Sequence, residues 1–328
     1  ENQKLVSDVQ QNNAQFGHSV AIDGDELVAG MPFYDHGAAD SGMVKDFSRD
    51  GSTWALDATV VAPDPETNDS FGIAVALDGD TLVVGAPGEN SFDGAVYVYE
   101  RTGTAWVFMQ KLVAPAPRPV GAYFGSSVDV LADRIVVGAR IGGLAYAFVR
   151  RGSTWELEQQ LDPGTAAPGR IGQTVAIDGD RVIVGSIDYP VGADAAFVFV
   201  RNGGSWSVEA RFAHGGGIDR IVTADLSGDM AIVGTSFDDA AYVYARTGDS
   251  WQLQQTLTAT DGSPVSVFGV AVAIEGETAI VGAREASFVF SRQGGAWGQR
   301  DRLLASDRGG SELSGYAVAQ YGGTALMG

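Results

Sequence analysis

The chain has no cysteine. Disulfides, thiolate chemistry and cysteine-ligated zinc are therefore excluded. This does not fix a compartment, because 328 residues bury enough core to fold without covalent staples. Basic charge is scarce. Lys and Arg total 21 against 41 Asp and Glu, a formal charge of −20, and lysine occurs only at Lys4, Lys45 and Lys111. Nucleic acid and anionic membrane surfaces both demand a basic face, so neither is expected as a partner. An acidic, lysine-poor surface suits a salty medium or simply a GC-rich genome. No apolar run approaches the ~20 residues of a membrane-spanning helix, so membrane insertion is not expected. Histidine is confined to His18, His36 and His214. They lie in different segments, without His-x-x-His or His-Glu-x-x-His spacing, and read as surface or core residues rather than metal ligands. No Gly-x-Ser-x-Gly nucleophile elbow occurs either.

What is abundant is glycine, 45 residues against 11 prolines, scattered among valine, alanine and aromatics. That composition suits many short strands joined by tight turns. The glycines also keep time. "FGIAVALDGDTLVVGAP" (71–87) repeats "FGHSVAIDGDELVAGMP" (16–32) and returns as "IGQTVAIDGDRVIVGSI" (171–187). The first glycine of this phrase falls at Gly17, Gly72, Gly125, Gly172, Gly269 and Gly315, with Asp219 in the slot of a degenerate fifth copy, a spacing of 46–55 residues. Thirteen residues later comes Gly30, Gly85, Gly138, Gly185, Gly282 or Gly328, with Gly234 displaced by two in the fifth copy.

A second phrase follows, as in "GAVYVYERTGTAWVFMQKLVAP" (94–115), and places every tryptophan in Gly-x-x-Trp: Trp54, Trp106, Trp155, Trp206, Trp251 and Trp297. Six tryptophans could stack on sugars. A residue that recurs at one strand position in every copy is better read as a core aromatic of the repeat. Each unit thus contains four strands. The second, "TLVVGA", is apolar throughout and expected to be buried on both faces, while the fourth alternates as a half-buried outer strand. Asp-Gly at 23–24, 78–79 and 178–179 supplies two-residue hairpin turns that need positive φ. Four antiparallel strands per ~50 residues, repeated, predict an all-β chain. Specifically, they predict a seven-bladed β-propeller of four-stranded antiparallel blades in a single domain spanning 1–328. Units begin near 16, 71, 124, 171, 218, 268 and 314.

Phe71-Gly72 and Gly85-Ala86-Pro87 make the chain resemble the FG-GAP repeat proteins, the group that includes the propeller of integrin α subunits. The resemblance covers nearly the whole chain. Only the second unit carries both phrases in full; others read Gly30-Met31-Pro32, Gly138-Ala139-Arg140, Gly185-Ser186-Ile187, Gly234-Thr235-Ser236 and Gly282-Ala283-Arg284. Integrin-type repeats often carry a DxDxDG calcium loop between strands one and two. Here that connection is "DGD", or "EGE" at 275–277, too few oxygens for the six to eight that calcium takes. No metal site and no cofactor is therefore expected.

The N-terminal "QKLVSD" (3–8) matches the strand-four phrase "QKLVAP" (110–115), and "SGYAVAQYGGTALMG" (314–328) matches strands one and two. The last blade is therefore expected to be closed by the N-terminal strand and to lack its third strand. A longer parent chain, or strand addition from a partner molecule, would fill that slot. The start at Glu1 rather than Met leads to the expectation that a signal segment has been removed and that the protein is secreted or displayed at the cell surface.

Short uniform hairpins mark one end of the blades and long variable connections the other. Binding is expected at the long-loop end, where integrins, too, meet ligand and partner subunit. Candidate ligand-binding residues there are Tyr34, Asp35, Asp40, Glu89, Asp93, Arg140, Asp188, Tyr189, Asp194, Asp238, Asp239 and Arg284. The plain alternative is a solvated acidic loop surface. The expected partner is an extracellular protein or glycan, and the expected role recognition or adhesion rather than catalysis. Phe92 and Tyr123, with Tyr34 and Tyr189, would favour a lectin. Self-assembly through the incomplete blade is a structural alternative. A polysaccharide-active enzyme would need two carboxylates about 5–10 Å apart in a cleft.

Overall fold

The structure is a computed structural model and describes residues 3–117, 119–164, 170–187, 195–213, 221–260, 267–305 and 314–328. The chain divides into two compact units, residues 2–161 and 162–328. The first holds three four-stranded antiparallel blades: β1 (Val20–Asp23), β2 (Glu26–Met31), β3 (Met43–Asp50) and β4 (Thr53–Val60); β5 (Ala74–Asp78), β6 (Thr81–Ala86), β7 (Ala95–Thr102) and β8 (Ala105–Leu112); β9 (Phe124–Leu131), β10 (Arg134–Ala139), β11 (Leu144–Arg151) and β12 (Thr154–Leu161). The second holds blades four to six: β13 (Arg170–Asp178), β14 (Arg181–Ile187), β15 (Ala195–Asn202) and β16 (Ser205–Ala213); β17 (Ile221–Ser227), β18 (Met230–Thr235), β19 (Ala240–Thr247) and β20 (Ser250–Leu257); β21 (Ala271–Glu275), β22 (Thr278–Ala283), β23 (Ala286–Gln293) and β24 (Ala296–Leu303). A two-stranded sheet, β25 (Val318–Tyr321) with β26 (Thr324–Met327), completes it.

Among the described residues, the expectation of seven blades is corrected to six four-stranded blades and this two-stranded sheet. Residues 3–8 do not form the expected strand either. A fourth strand needs a third to pair with, and among the described residues none lies beside this segment. Gln3 nevertheless behaves as a strand-four residue. Its side chain donates to the Trp54 carbonyl and accepts from the Trp54 amide, both at 2.7 Å. Gln110 does the same to Trp155, at 2.9 and 2.8 Å, and Gln255 to Trp297, at 2.8 and 2.9 Å.

The repeated glycine phrase is an interlock between blades. A Cβ on Gly30 would sit 2.0 Å from the Gly72 carbonyl oxygen, and one on Gly85 2.0 Å from that of Gly125. The second-strand glycine of one blade thus lies against the first glycine of the next, where no side chain fits. Gly72 itself has φ +91°, a conformation that side chains rarely adopt. The phenylalanine before it packs inward: Phe71 is fully buried and meets Tyr97 and Tyr99 edge-on at 5.5 and 6.1 Å, and Phe124 meets Tyr146 and Phe148 at 5.5 and 6.1 Å. Burial of such rings stabilises by about 2–3 kcal/mol each. The second strands are buried along their length, as β6 shows, and the apolar clusters run from blade one into two and from two into three. Blades four, five and six are joined in the same way.

The third and fourth strands of every blade slip register at one place, for example between Val98 and Tyr99 or Val198 and Phe199. Such a bulge re-aims the extra residue, here the third after each tryptophan. Two of these, Glu209 and Gln254, accept the indole N–H of the next blade's tryptophan, Trp251 at 2.9 Å and Trp297 at 3.1 Å. Trp106 donates to Asp46 at 3.0 Å. The tryptophans serve blade junctions. Trp155, Trp206 and Trp297 are buried, and Arg49 and Arg101 lie over Trp54 and Trp106 at 5.1 and 4.6 Å.

Candidate functional site

At the short-hairpin end the turn carboxylates are committed to neighbouring blades. Asp23 accepts the Gly79 amide and Asp78 the Ala132 amide, each at 2.6 Å. Asp178 accepts that of Gly228, and Glu275 that of Gly322 at 3.0 and 3.1 Å. The "DGD" phrase is thus a staple from turn to turn.

The long-loop ends are different. In the first unit, the 62–70 and 86–94 loops bring Asp64 and Glu89 to the tip of β7. Both lie 2.9 Å from the Tyr97 hydroxyl, which has one proton to donate between them. Lys111 from β8 donates to Asp64 at 3.0 Å and to Glu89 at 2.7 Å. Burial pushes the Asp64 carboxyl up, but the hydrogen bonds from Lys111 and Tyr97 outweigh it and hold it below the usual range. Burial and the two acids drive the Tyr97 phenol far up. Asp69, also buried, is pushed up to about 6 by burial despite a 2.6 Å bond from the Glu66 amide. Glu89 is thus a buried structural acid rather than an open ligand. Sequence reading missed Asp64, Asp69, Tyr97 and Lys111; only their loop placement and the rarity of lysine pointed there.

Just beyond this cluster the backbone turns sharply. Asn90, Ser91 and Phe92 have φ of 50°, 60° and 70°, and Tyr123 has 58°, a strained region for residues with side chains that clusters at functional sites. Phe92 and Tyr123 stack with centroids 5.2 Å apart and planes within 13°. The Arg140 guanidinium stands over the Tyr123 ring at 5.7 Å. Three loops are knitted here. Tyr123 and Phe124 donate to the carbonyls of Phe92 and Asp93 at 2.9 and 3.1 Å, and Gly142 to that of Ala122 at 3.0 Å. Asp93 accepts the Gly121 amide at 3.0 Å. Phe92, Val120 and Ile141 are exposed.

The remaining candidates scatter. Asp35 accepts the Asp40 amide at 2.8 Å, closing its own loop, and Tyr34 packs half-buried beside Met31 and Met43. Asp239 accepts the Phe268 amide at 3.0 Å, and Asp238 accepts the Tyr242 hydroxyl at 3.2 Å. Arg284 pairs with Glu285 at 3.9 Å in the open. Asp188, Tyr189 and Asp194 lie outside the described residues, as does His214. Of the candidates, the structure joins Arg140 with Tyr123 and Phe92. Three of the loop acids, Asp35, Asp93 and Asp239, instead accept backbone amides. An acidic group of Glu26, Asp46 and Asp57 lies within reach of a common point, but Arg101 already bridges Glu26 bidentately, at 2.8 and 2.6 Å, and reaches Asp46 at 3.4 Å.

The FG-GAP repeat model matches residues 1–44, 54–99 and 251–296. The last two stretches each run from the fourth strand of one blade through the third strand of the next. The repeat in sequence is therefore the blade junction in space, the place where the glycine interlock and the tryptophan latches sit. Three stretches of the chain, under half of its length together, match FG-GAP repeats.

Solved structures similar to this chain include a protein from Lactobacillus plantarum, with a TM-score of 0.62 at 14% identity over 85% of this chain and 82% of that one. A proposed 6-phosphogluconolactonase from Bacteroides uniformis gives 0.58 at 13% over 86% and 84%. The WD40 β-propeller domain of Doa1 gives 0.60 at 11% over 94% and 87%. At these identities the likeness shows the fold, a β-propeller, and nothing of activity. Compared with curated proteins, the chain finds no match. Among the described residues no helix is long and apolar enough to cross a membrane.

Proposed function

We propose that this chain forms one propeller domain that acts outside the cell as a recognition or adhesion module. It binds a protein or glycan through the long-loop ends of its blades. The observation that carries this is the contrast between the two ends of a blade. At one end, two-residue turns are stapled to the next turn by carboxylates. At the other, irregular loops hold exposed aromatics, Phe92 and Phe237 among them, on strained but hydrogen-bonded backbone. Rigid scaffolds that carry variable loops are a common basis for binding. The match to FG-GAP repeats, which the propeller of integrin α subunits also carries, supports the same end of the blade.

The test is binding of the protein to arrays of glycans and of extracellular proteins, repeated with a loop variant (Phe92→Ala with Phe237→Ala) and a turn variant (Asp80→Ala). Loss of a captured ligand in the first variant alone supports the reading. No ligand on either array, or equal loss in both variants, sinks it.

A second reading is assembly by strand addition. Among the described residues β26 pairs only with β25, which leaves an edge able to accept a strand. A size in solution that grows with concentration would favour it. The enzyme reading has less support, because the carboxylate pair Asp64 and Glu89 is closed by Tyr97 and Lys111.

A further inference from the structure

From the Phe92–Tyr123–Arg140 group we infer a preformed subsite for a carboxylated sugar, a glycan residue that presents one carboxylate beside an apolar C–H face. The inference rests on the long-loop reading above and gives it a ligand class. Three independent features point the same way.

The first is shape. Phe92 stacks on Tyr123 with planes within 13° and centroids 5.2 Å apart, and its exposure leaves a ring face outside the stack, a flat apolar surface of the kind that stacks on the C–H face of a pyranose. The platform is rigid before any ligand arrives. The Tyr123 amide is bonded to the Phe92 carbonyl, and Asp93 holds Gly121. The Arg140 amide is bonded to the Ser126 hydroxyl at 3.1 Å. Preorganisation matters for sugars, whose modest contacts cannot repay the ordering of loops.

The second is charge. In this acidic chain most of the arginines among the described residues have acidic partners: Arg49 pairs with Asp25, Arg101 with Glu26, Arg246 with Glu209 and Arg292 with Glu277. Arg140 is exposed, and among the described residues its guanidinium has the Tyr123 ring and no carboxylate. Its fork of donors fits a carboxylate bidentately.

The third is the field around it. A net charge of −20 repels polyanions such as highly sulfated chains. The same charge opposes any anion, and opposes least one with a single carboxylate, so it narrows the ligand class to a singly charged sugar. A peptide partner would ask instead for a groove or a strand edge, and this platform is an exposed stack.

The experiment titrates the protein with oligosaccharides ending in glucuronate or galacturonate, beside the same oligosaccharides ending in glucose or galactose. Binding is followed by calorimetry and by ligand-observed NMR. An aspartate-containing tetrapeptide is a third probe. The uronate forms are expected to bind roughly tenfold tighter than their neutral counterparts, with R140Q removing that preference and F92A weakening both forms about tenfold. Unchanged melting temperatures in both variants establish that the fold is intact, and R140K separates the fork from the charge by restoring only part of the preference.

Equal binding of neutral and acidic sugars, uronate binding untouched by R140Q and F92A, or binding of the peptide with no uronate bound would each overturn the assignment. So would the absence of any bound sugar. Ligand capture that fails in Phe237 variants but survives R140Q would overturn this subsite while leaving the long-loop reading intact.

Discussion

Replacing Gly85 with alanine tests the interlock that explains the repeated phrase. The new Cβ would lie 2.0 Å from the Gly125 oxygen and 3.0 Å from its carbonyl carbon. A relaxed contact needs more than an ångström of movement, and both obstructing atoms are backbone. Gly125 has little room to retreat, because a Cβ on it would itself stand 2.5 Å from the Ala95 oxygen. Overpacking against fixed backbone costs about 3 kcal/mol or more. Gly79 provides the matched control. It sits in a hairpin turn at φ +53°, and a methyl group there would meet nothing within 4 Å, so alanine faces only the left-handed backbone penalty of about 1 kcal/mol. Urea denaturation followed by tryptophan fluorescence separates the two. With a slope near ~3 kcal/mol/M, G85A should lower the midpoint by about 1 M and G79A by about 0.3 M. Equal midpoints would refute the interlock and reduce the glycine phrase to turn chemistry.

Three further outcomes are expected. Gln110→Ala strips both partners from the Trp155 backbone in a part-buried junction and should cost about 2 kcal/mol, seen as faster amide exchange at Trp155; exchange unchanged there would rule out the glutamine latch. Asp46 is buried and its carboxyl is raised to about 6, by burial first, with Glu26 and Asp57 adding and Trp106 and Arg101 opposing. A raised acid binds its proton more tightly folded than unfolded, so its contribution falls as pH rises from about 4 through 6. Wild type should therefore lose up to about 3 kcal/mol relative to Asp46→Asn between about pH 4 and 7.5, and a gap that moves the other way in paired denaturation curves would contradict the burial argument. Lys111→Met leaves Asp64 and Glu89 beside each other without their cation. It should destabilise by about 2 kcal/mol near neutral pH, less than a fully buried pair because Asp64 is half-exposed. Asp64 is held low in the fold, so the loss should shrink as pH drops below about 4; a loss that stays constant with pH would point to packing rather than charge.

The blades were legible because their rules are local. An Asp-Gly turn, an apolar second strand and a Gly-x-x-Trp return each act within a dozen residues, and periodic spacing supplied the rest. The error at the ends is equally local in origin. "QKLVSD" has the pattern of a fourth strand, but a strand is made by its neighbour's hydrogen bonds, and residues 3–8 have no third strand among the described residues to pair with. The glutamine survives the loss of the ladder, since its bond is to the Trp54 backbone of the following blade. Sequence contained that clue: the glutamine four residues after Trp106 opens "QKLVAP", and the N-terminal "QKLVSD" opens on the same residue. Where alanine takes the place, at Ala58 and Ala210, the next tryptophan is held through its indole N–H, by Asp46 or Glu209.

The loop end obeys no such rule, and the candidate residues show why. Asp35, Asp93 and Asp239 looked like ligand carboxylates by composition, yet each accepts a backbone amide from its own loop or a neighbouring one, a bond that depends on how two loops meet in space. The stack of Phe92 on Tyr123 joins residues 31 positions apart. It requires three successive non-glycine residues in the left-handed region, which no propensity argument would assign to "NSF". What was legible was Arg140, because an arginine takes the place of the proline in Gly-Ala-Pro. The same replacement at Arg284 meets only Glu285 in the open, whereas Arg140 stands over Tyr123, so the consensus departure shows where an arginine is added and the neighbouring loop decides what it meets.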